Sequence, residues 1–341
     1  MKDLIRRLCE KDGAPGSEKQ IRDLIEAEIQ GYVHDSFIDS TGNLIIFKKG
    51  KNSGKNRLML FAHMDEVALR VRSVNEDGTI KCAAAGNIDY TALPGSIMRS
   101  NNGVRAAAVF PEGCDTGKKT IADNIVLDCG TKSKNATLSK ISIGDFFVFD
   151  TDFTDFPNGL ICAKALENRI GCAILIDLIK SELPYDAWFV FSSCGETIDG
   201  LASGRGAKVA AERICPDIAL NVNCRAIADF PSIPAHKQQA KLGGGAIIPL
   251  SDYGAGYYRP LRNLLETSAS ASGISWQNLT SRGALSDAKG VYTAGTGVRL
   301  AAVAVPLRYI FTGHSIASLS DICAARDIAK LFISEAGDFD A

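Results

Sequence analysis

Apolar positions along the chain follow two periods, and the change from one to the other outlines the architecture. Residues 1–20 read as an amphipathic helix followed by a turn. Over Glu18–Tyr32, Ile21, Leu24, Ile25 and Ile29 share one helical face. A strand over 43–48, a Lys/Gly/Asn/Ser turn and an apolar strand over 58–62 follow, the last ending at His63. From about 71 to 158 the pattern shifts to short alternating runs such as 104–110 and 141–150, rich in Gly and Asn. Such spacing predicts a compact β-rich unit inserted into the chain.

Helix–strand alternation returns near 160. Residues 164–182 are apolar on most sides and predict a buried helix. The runs at 187–193 and 217–222 are continuously apolar, as in strands of a sheet covered on both faces. A turn at Gly243–Gly245, a helix over 259–267, a strand over 297–305 and a helix near 318–335 complete the set. The organisation predicted is an α/β domain formed by 1–70 and 159–341, interrupted by a β-rich domain over 71–158.

Charge narrows the function classes. With 38 basic and 39 acidic residues among 341, the chain lacks the excess that marks a nucleic-acid binder. No apolar run approaches a membrane span, and charges in the first helix argue against a secretory signal. Ten scattered cysteines without a C-x-x-C pair suit reduced thiols, so the expected compartment is the cytoplasm.

Three short segments could carry chemistry. AHMDE (62–66) places His63, Asp65 and Glu66 at a strand's C-terminal end, where open α/β sheets bind ligands. His63 could ligate a metal with Asp65 fixing its tautomer; the segment also reads as a polar strand exit. AKALENRIG (163–171) puts Glu167 at a helix start, where free N–H groups alone could explain a carboxylate. CGETIDG (194–200) puts Glu196 after another strand. Cys194 beside it would need an imidazole or cation to act as a nucleophile, and the chain has only four histidines.

Together with GAPGSE (13–18), TGNLI (41–45), GDFFVFD (144–150), GRGA (204–207), LSDA (285–288) and VPLRYI (305–310), these segments resemble the tetrahedral or glutamyl-type aminopeptidases, metallopeptidase family forty-two, once labelled endoglucanases. The resemblance covers nearly the whole chain. It implies a three-layer α/β catalytic domain with a mixed sheet, the phosphorylase/hydrolase-like zinc exopeptidase fold, interrupted by a small β-barrel-like domain. It further implies homo-oligomers, often dodecamers, two zinc or cobalt ions sharing a bridging carboxylate, and removal of N-terminal residues from short peptides.

Carried across residue by residue, the family's site is incomplete. The first His ligand and its orienting Asp match His63 and Asp65. The bridging Asp falls on Glu167, the general base on Gly195, the next ligand on Glu196, a later Asp ligand on Asn221 and the final His on Phe311. Each metal position thus loses one protein ligand. An amide is a weak zinc ligand and a phenyl ring is none, while loss of a general base costs on the order of 10²–10⁴-fold. A shifted register could bring in His314 or Asp199. The resulting expectation is at most one divalent ion, held by His63 and Glu167 with Asn221 or His314, and two-metal hydrolysis weak or lost. The alternative is a non-catalytic peptide-binding or regulatory subunit; a glycosidase, which needs paired carboxylates, has no feature in its favour. Phe311→His with Asn221→Asp should restore metal binding, and adding Gly195→Glu should restore the base.

Overall fold

The computed structural model describes residues 1–111, 125–196, 204–234, 238, 240–279 and 286–340. Eight strands form one mixed sheet, in the spatial order Asp35–Ile38, Leu44–Lys48, Ala187–Ser192, Leu58–His63, Ile218–Ala226, Arg299–Leu307, Ala246–Pro249 and Trp276–Leu279. The four central strands, Ala187–Ser192 to Arg299–Leu307, run parallel, so their C-terminal ends share one edge.

Side chains of the strand Leu58–His63 alternate between two cores, as the pleat requires. Leu58, Leu60 and Ala62 join the cluster that contains the helices Lys2–Cys9, Lys19–Ile29, Leu166–Lys180, Arg259–Ala271 and Leu319–Ala336. Met59 and Phe61 join the opposite cluster with Ala207, Ala210, Ala288 and Val291, from the helices Arg205–Ile214 and Ala288–Tyr292. The result is three layers, helices on both faces of a sheet.

Six strands between Ala68 and Phe149 close a barrel in the order Ala68–Val74, Ile80–Ala85, Val126–Asp128, Arg105–Val109, Ile97–Ser100 and Phe146–Phe149. Leu69, Val71, Ile80, Met98, Leu127 and Phe149 fill it. None of these strands pairs with the eight-stranded sheet among the described residues. The strand Thr154–Phe156 pairs instead with Leu160–Ala163, which also takes Ser315–Ser318 as a partner.

Three local readings of the sequence need adjustment. The buried helix runs over Leu166–Lys180 rather than 164–182, and Glu167 and Asn168 depart from helical dihedrals. The helix expected to stop at 267 continues to Ala271, because Leu261, Leu265 and Ala269 keep one buried face. The strands Asp35–Ile38 and Trp276–Leu279 occupy the two edges of the sheet, where half-exposed residues give little apolar signal. Among the described residues no helix is long and apolar enough to cross a membrane.

Candidate metal centre

Parallel register brings the candidate residues to the same edge. His63 pairs in register with Ser192 on the neighbouring strand, so the turn after Ser192 delivers Glu196 beside the imidazole. Glu167 enters from the opening turn of the buried helix, where its non-helical backbone frees the side chain from the helix axis. His63, Glu167 and Glu196 each offer a ligand atom, and these atoms lie within 4.8 Å of one another. His63 Nε2 is 2.9 Å from Glu167 Oε1. The carboxylate of Glu167 therefore meets an imidazole rather than helix N–H groups.

Asp65 organises this arrangement. It is fully buried, and its Oδ1 lies 3.3 Å from His63 Nδ1. Its two oxygens also accept the consecutive backbone N–H groups of Gly195 (2.9 Å) and Glu196 (2.8 Å). One carboxylate thus orients the imidazole and pins the loop that carries Glu196. From the barrel, the N–H of Asn87 donates to Glu196 Oε2 at 3.4 Å. A Cβ on Gly86 would come within 2.7 Å of that oxygen, and Gly86 has φ +89, so both the space and the backbone require glycine there.

Electrostatics distinguish the three groups. Burial pulls the His63 imidazole towards its neutral form, but Glu167 and Asp65 overcome this and hold its pKa well above the usual value. Burial and the charges of Glu167 and Asp65 push Glu196 well above the carboxylate range, against His63. Burial would also raise Glu167, yet His63, the Glu196 hydrogen bond and the Arg225 guanidinium leave it below its ordinary value. A proton shared in this way marks a site that lacks positive charge.

The donor set fits a divalent metal. Glu167 Oε2 and His63 Nδ1 are buried without a well-aligned hydrogen-bond partner, a costly condition for polar atoms. One imidazole and two carboxylates match the ligands of catalytic zinc sites. Nε2 faces the second ligand, and Nδ1 faces an orienting carboxylate.

The remaining candidates are placed differently. Asn221 is buried, but its Nδ2 donates to Ser286 Oγ at 3.3 Å. Phe311 packs against the barrel's apolar cluster. His314 is exposed, although Ser315 after it pairs with Ala163, close in sequence to Glu167. Asp199 lies outside the described residues. Gly195 cannot host the missing base: a Cβ there would stand 2.4 Å from His63 Cβ and 2.5 Å from its Cγ. The expectation that Gly195→Glu restores a base is therefore corrected, since this backbone aims the side chain into the imidazole.

A family model described as M42 glutamyl aminopeptidase matches residues 42–328. This chain belongs to that family. A relative from Acetivibrio thermocellus is 32% identical over 324 residues, which cover 94% of this chain and 95% of the relative. The solved aminopeptidase of the archaeon Desulfurococcus kamchatkensis superposes with a TM-score of 0.91 at 25% identity, covering 98% of this chain and 94% of its own. The Pyrococcus horikoshii TET1 peptidase, which can assemble into a tetrahedron or a large octahedral shell, gives 0.82 at 25% identity, with coverages of 97% and 98%. Membership in this M42 family implies a divalent metal.

Several buried polar residues at the site were not singled out from sequence. Asp287 accepts from Ser192 Oγ at 2.5 Å, while its other oxygen has no partner. Burial, opposed by His63 and Ser192 and aided by Asp65 and Glu167, raises its carboxyl to about 6. Asp252 accepts from Arg225, Tyr257 and Ser286. The signal for Asp287 was its place in LSDA. The signal for Arg225 was a charge within the apolar strand Ile218–Ala226, read from sequence as ending at 222.

Proposed function

We propose that this M42-family chain is a metal-dependent aminopeptidase acting on the N-termini of short peptides, slower than an enzyme with a complete two-metal site. The convergence of His63, Glu167 and Glu196 within 4.8 Å carries this reading. These three would hold a zinc or cobalt ion, which suits imidazole with carboxylate oxygens. Asn221, turned towards Ser286, and His314, exposed, stand outside the set. A bound divalent ion supplies Lewis acidity and a water that ionises near neutral pH. The chain's own contribution is orientation: Asp65 fixes the imidazole and the Glu196 loop together. With glycine at 195 the general base is missing, and its usual contribution of about 10²–10⁴-fold is forfeited.

One observation favours a second reading, a non-catalytic peptide-binding or regulatory subunit working beside an active paralogue. The backbone at Gly195 has no room for a side chain, so the loss of the base is built into the loop. In either reading the chain forms a homo-oligomer, a dodecamer in the simplest case, as the tetrahedral assembly and the dodecamer of TET1 peptidase structures support. The balanced charge supports neither a nucleic-acid nor a membrane partner. The nine described cysteines are free, which supports a reducing cytoplasm.

The test is chelator-stripped protein titrated with zinc or cobalt, followed by turnover of an aminoacyl-anilide panel. Metal-dependent turnover is expected. Metal binding without turnover selects the second reading. Neither binding nor turnover overturns the metal-dependent reading.

A further inference from the structure

Three segments singled out in the sequence, GAPGSE (13–18), TGNLI (41–45) and GRGA (204–207), supply no ligand, yet all three meet the loop that follows the strand Ala187–Ser192. Four consecutive main-chain N–H groups of that loop each find a buried side-chain oxygen. Ser193 donates to Asn43 Oδ1 at 2.8 Å and Cys194 to Glu18 Oε1 at 2.9 Å, while Gly195 and Glu196 donate to Asp65. Side chains of residues 18, 43 and 65 thus do for this turn what a strand ladder does elsewhere. The third segment completes the cradle. Asn43 Nδ2 donates to the Gly206 carbonyl at 2.9 Å, which leaves Oδ1 to face Ser193. A Cβ on Gly206 would collide with the Ser193 carbonyl.

Glu18 holds the one strained residue of the four. Cys194 has φ +51, a left-handed conformation that side chains with a Cβ rarely adopt. It stands two residues before Glu196, so its backbone angle sets the direction in which the ligand leaves the strand. The oxygen that takes the Cys194 N–H is itself fixed, because Glu18 Oε1 also accepts the N–H of Gly16 at 2.8 Å. Only 4% of Glu18 is exposed. The carboxylate stands outside the group formed by His63, Glu167 and Glu196, so any influence on that group passes through the main chain of the loop.

We propose that Glu18 is a positioning residue of the metal centre: its carboxylate holds Cys194 in the left-handed conformation and thereby aims Glu196 at the point shared with His63 and Glu167. This rests on the reading of those three as the ligand set. It goes further in giving the segment 13–18, remote in sequence from every ligand, a role in metal affinity. Asp65 acts on the imidazole and on the loop together; Glu18 acts on the loop alone.

Cobalt titration of chelator-stripped protein, followed by isothermal calorimetry and by visible absorption, tests this without reference to activity. Glu18→Ala should weaken cobalt binding by roughly 10–100-fold, as loss of an outer partner does, and should change the absorption bands, which report coordination geometry. Glu18→Gln keeps an acceptor oxygen in place and should restore both affinity and bands. Glu18→Asp keeps the charge but withdraws the oxygen by one methylene, so it should behave like the alanine variant. Should Glu18→Ala fail to fold, the contrast between the aspartate and glutamine variants decides. A folded Glu18→Ala or Glu18→Asp with unaltered affinity and bands overturns the inference, even if its stability to urea falls, since that is all a purely structural role would show. Weak binding by Glu18→Gln overturns it too, by assigning the effect to charge. No cobalt bound by the unaltered protein overturns the ligand set and this inference together, whereas binding that is indifferent to residue 18 overturns this inference alone.

Discussion

Two adjacent residues, Asp65 and Glu66, open into two buried ionic clusters with opposite characters. Around Glu66, Lys164 Nζ reaches both carboxylate oxygens at 2.8 and 2.9 Å and Asp12 at 3.1 Å. Arg169 pairs with Glu66, and Arg99 joins Asp12 to Asp150 of the barrel side. Lys164, Arg169 and Arg99 thus face Asp12, Glu66 and Asp150, and every one of those carboxylate oxygens has a partner. Around Asp65, four carboxylates (Asp65, Glu167, Glu196 and Asp287) surround one imidazole, and oxygens of Glu167 and Asp287 are left over. The first cluster is electrically complete and ties the barrel to the α/β layers. The second is short of positive charge. Burial alone does not identify a functional site; unbalanced burial does.

Breaking the complete cluster should have the largest effect. Lys164→Met takes one cation from Asp12 and Glu66 and leaves them only Arg99 and Arg169, and the loss should approach the roughly 3–5 kcal/mol that breaking a buried pair costs. Urea denaturation of metal-free protein measures it, and a loss below 1 kcal/mol would show that water reaches the cluster. In the open cluster the same kind of change should act in the opposite sense. Glu167→Gln removes one of several repelling charges, so the metal-free protein should be no less stable than the unaltered one. Zinc affinity should fall by more than the roughly 10–100-fold that loss of an outer partner costs. A destabilised metal-free Glu167→Gln would mean that the carboxylate serves the fold.

The smallest effect is set by pH. Burial of Asp12 would raise its carboxyl, but Arg99 and Lys164 outweigh it and hold the group below its ordinary 3.8. Because the folded value is depressed, the stabilisation is present above the unfolded value and is lost as pH falls through the folded one. Stability between pH 5 and pH 3 should therefore decline by a component on the order of 1 kcal/mol that Asp12→Asn removes. An unchanged slope in that variant would assign the decline to other carboxylates.

Much of this arrangement was legible in the sequence, for reasons that differ by residue. Apolar strands ending in polar residues placed His63 and Glu196 at the sheet edge, since strand runs and their exits are local signals. The mostly apolar character of 164–182 marked a buried helix with Glu167 near its start, and the helix observed is Leu166–Lys180. The pairing of Glu66 with Lys164 was not legible, because it joins positions 98 residues apart through side chains alone. The pairing of Arg225 with Asp252 is hidden for the same reason. Gly195 shows a further limit: matched to a family pattern it looks like a deleted base, whereas its backbone direction reveals a position with no room for one.

The grip of Asp65 on the amides of residues 195 and 196 has a consequence for how such a site can change over generations. Hydrogen bonds to main-chain N–H groups are indifferent to the side chains attached. Substitutions along that turn can therefore accumulate without moving the carboxylate of Glu196, provided that residue 195 stays small. A loop anchored by its backbone is a mutable tether: it lets a lineage rewrite the vicinity of the centre while the centre itself stays in place.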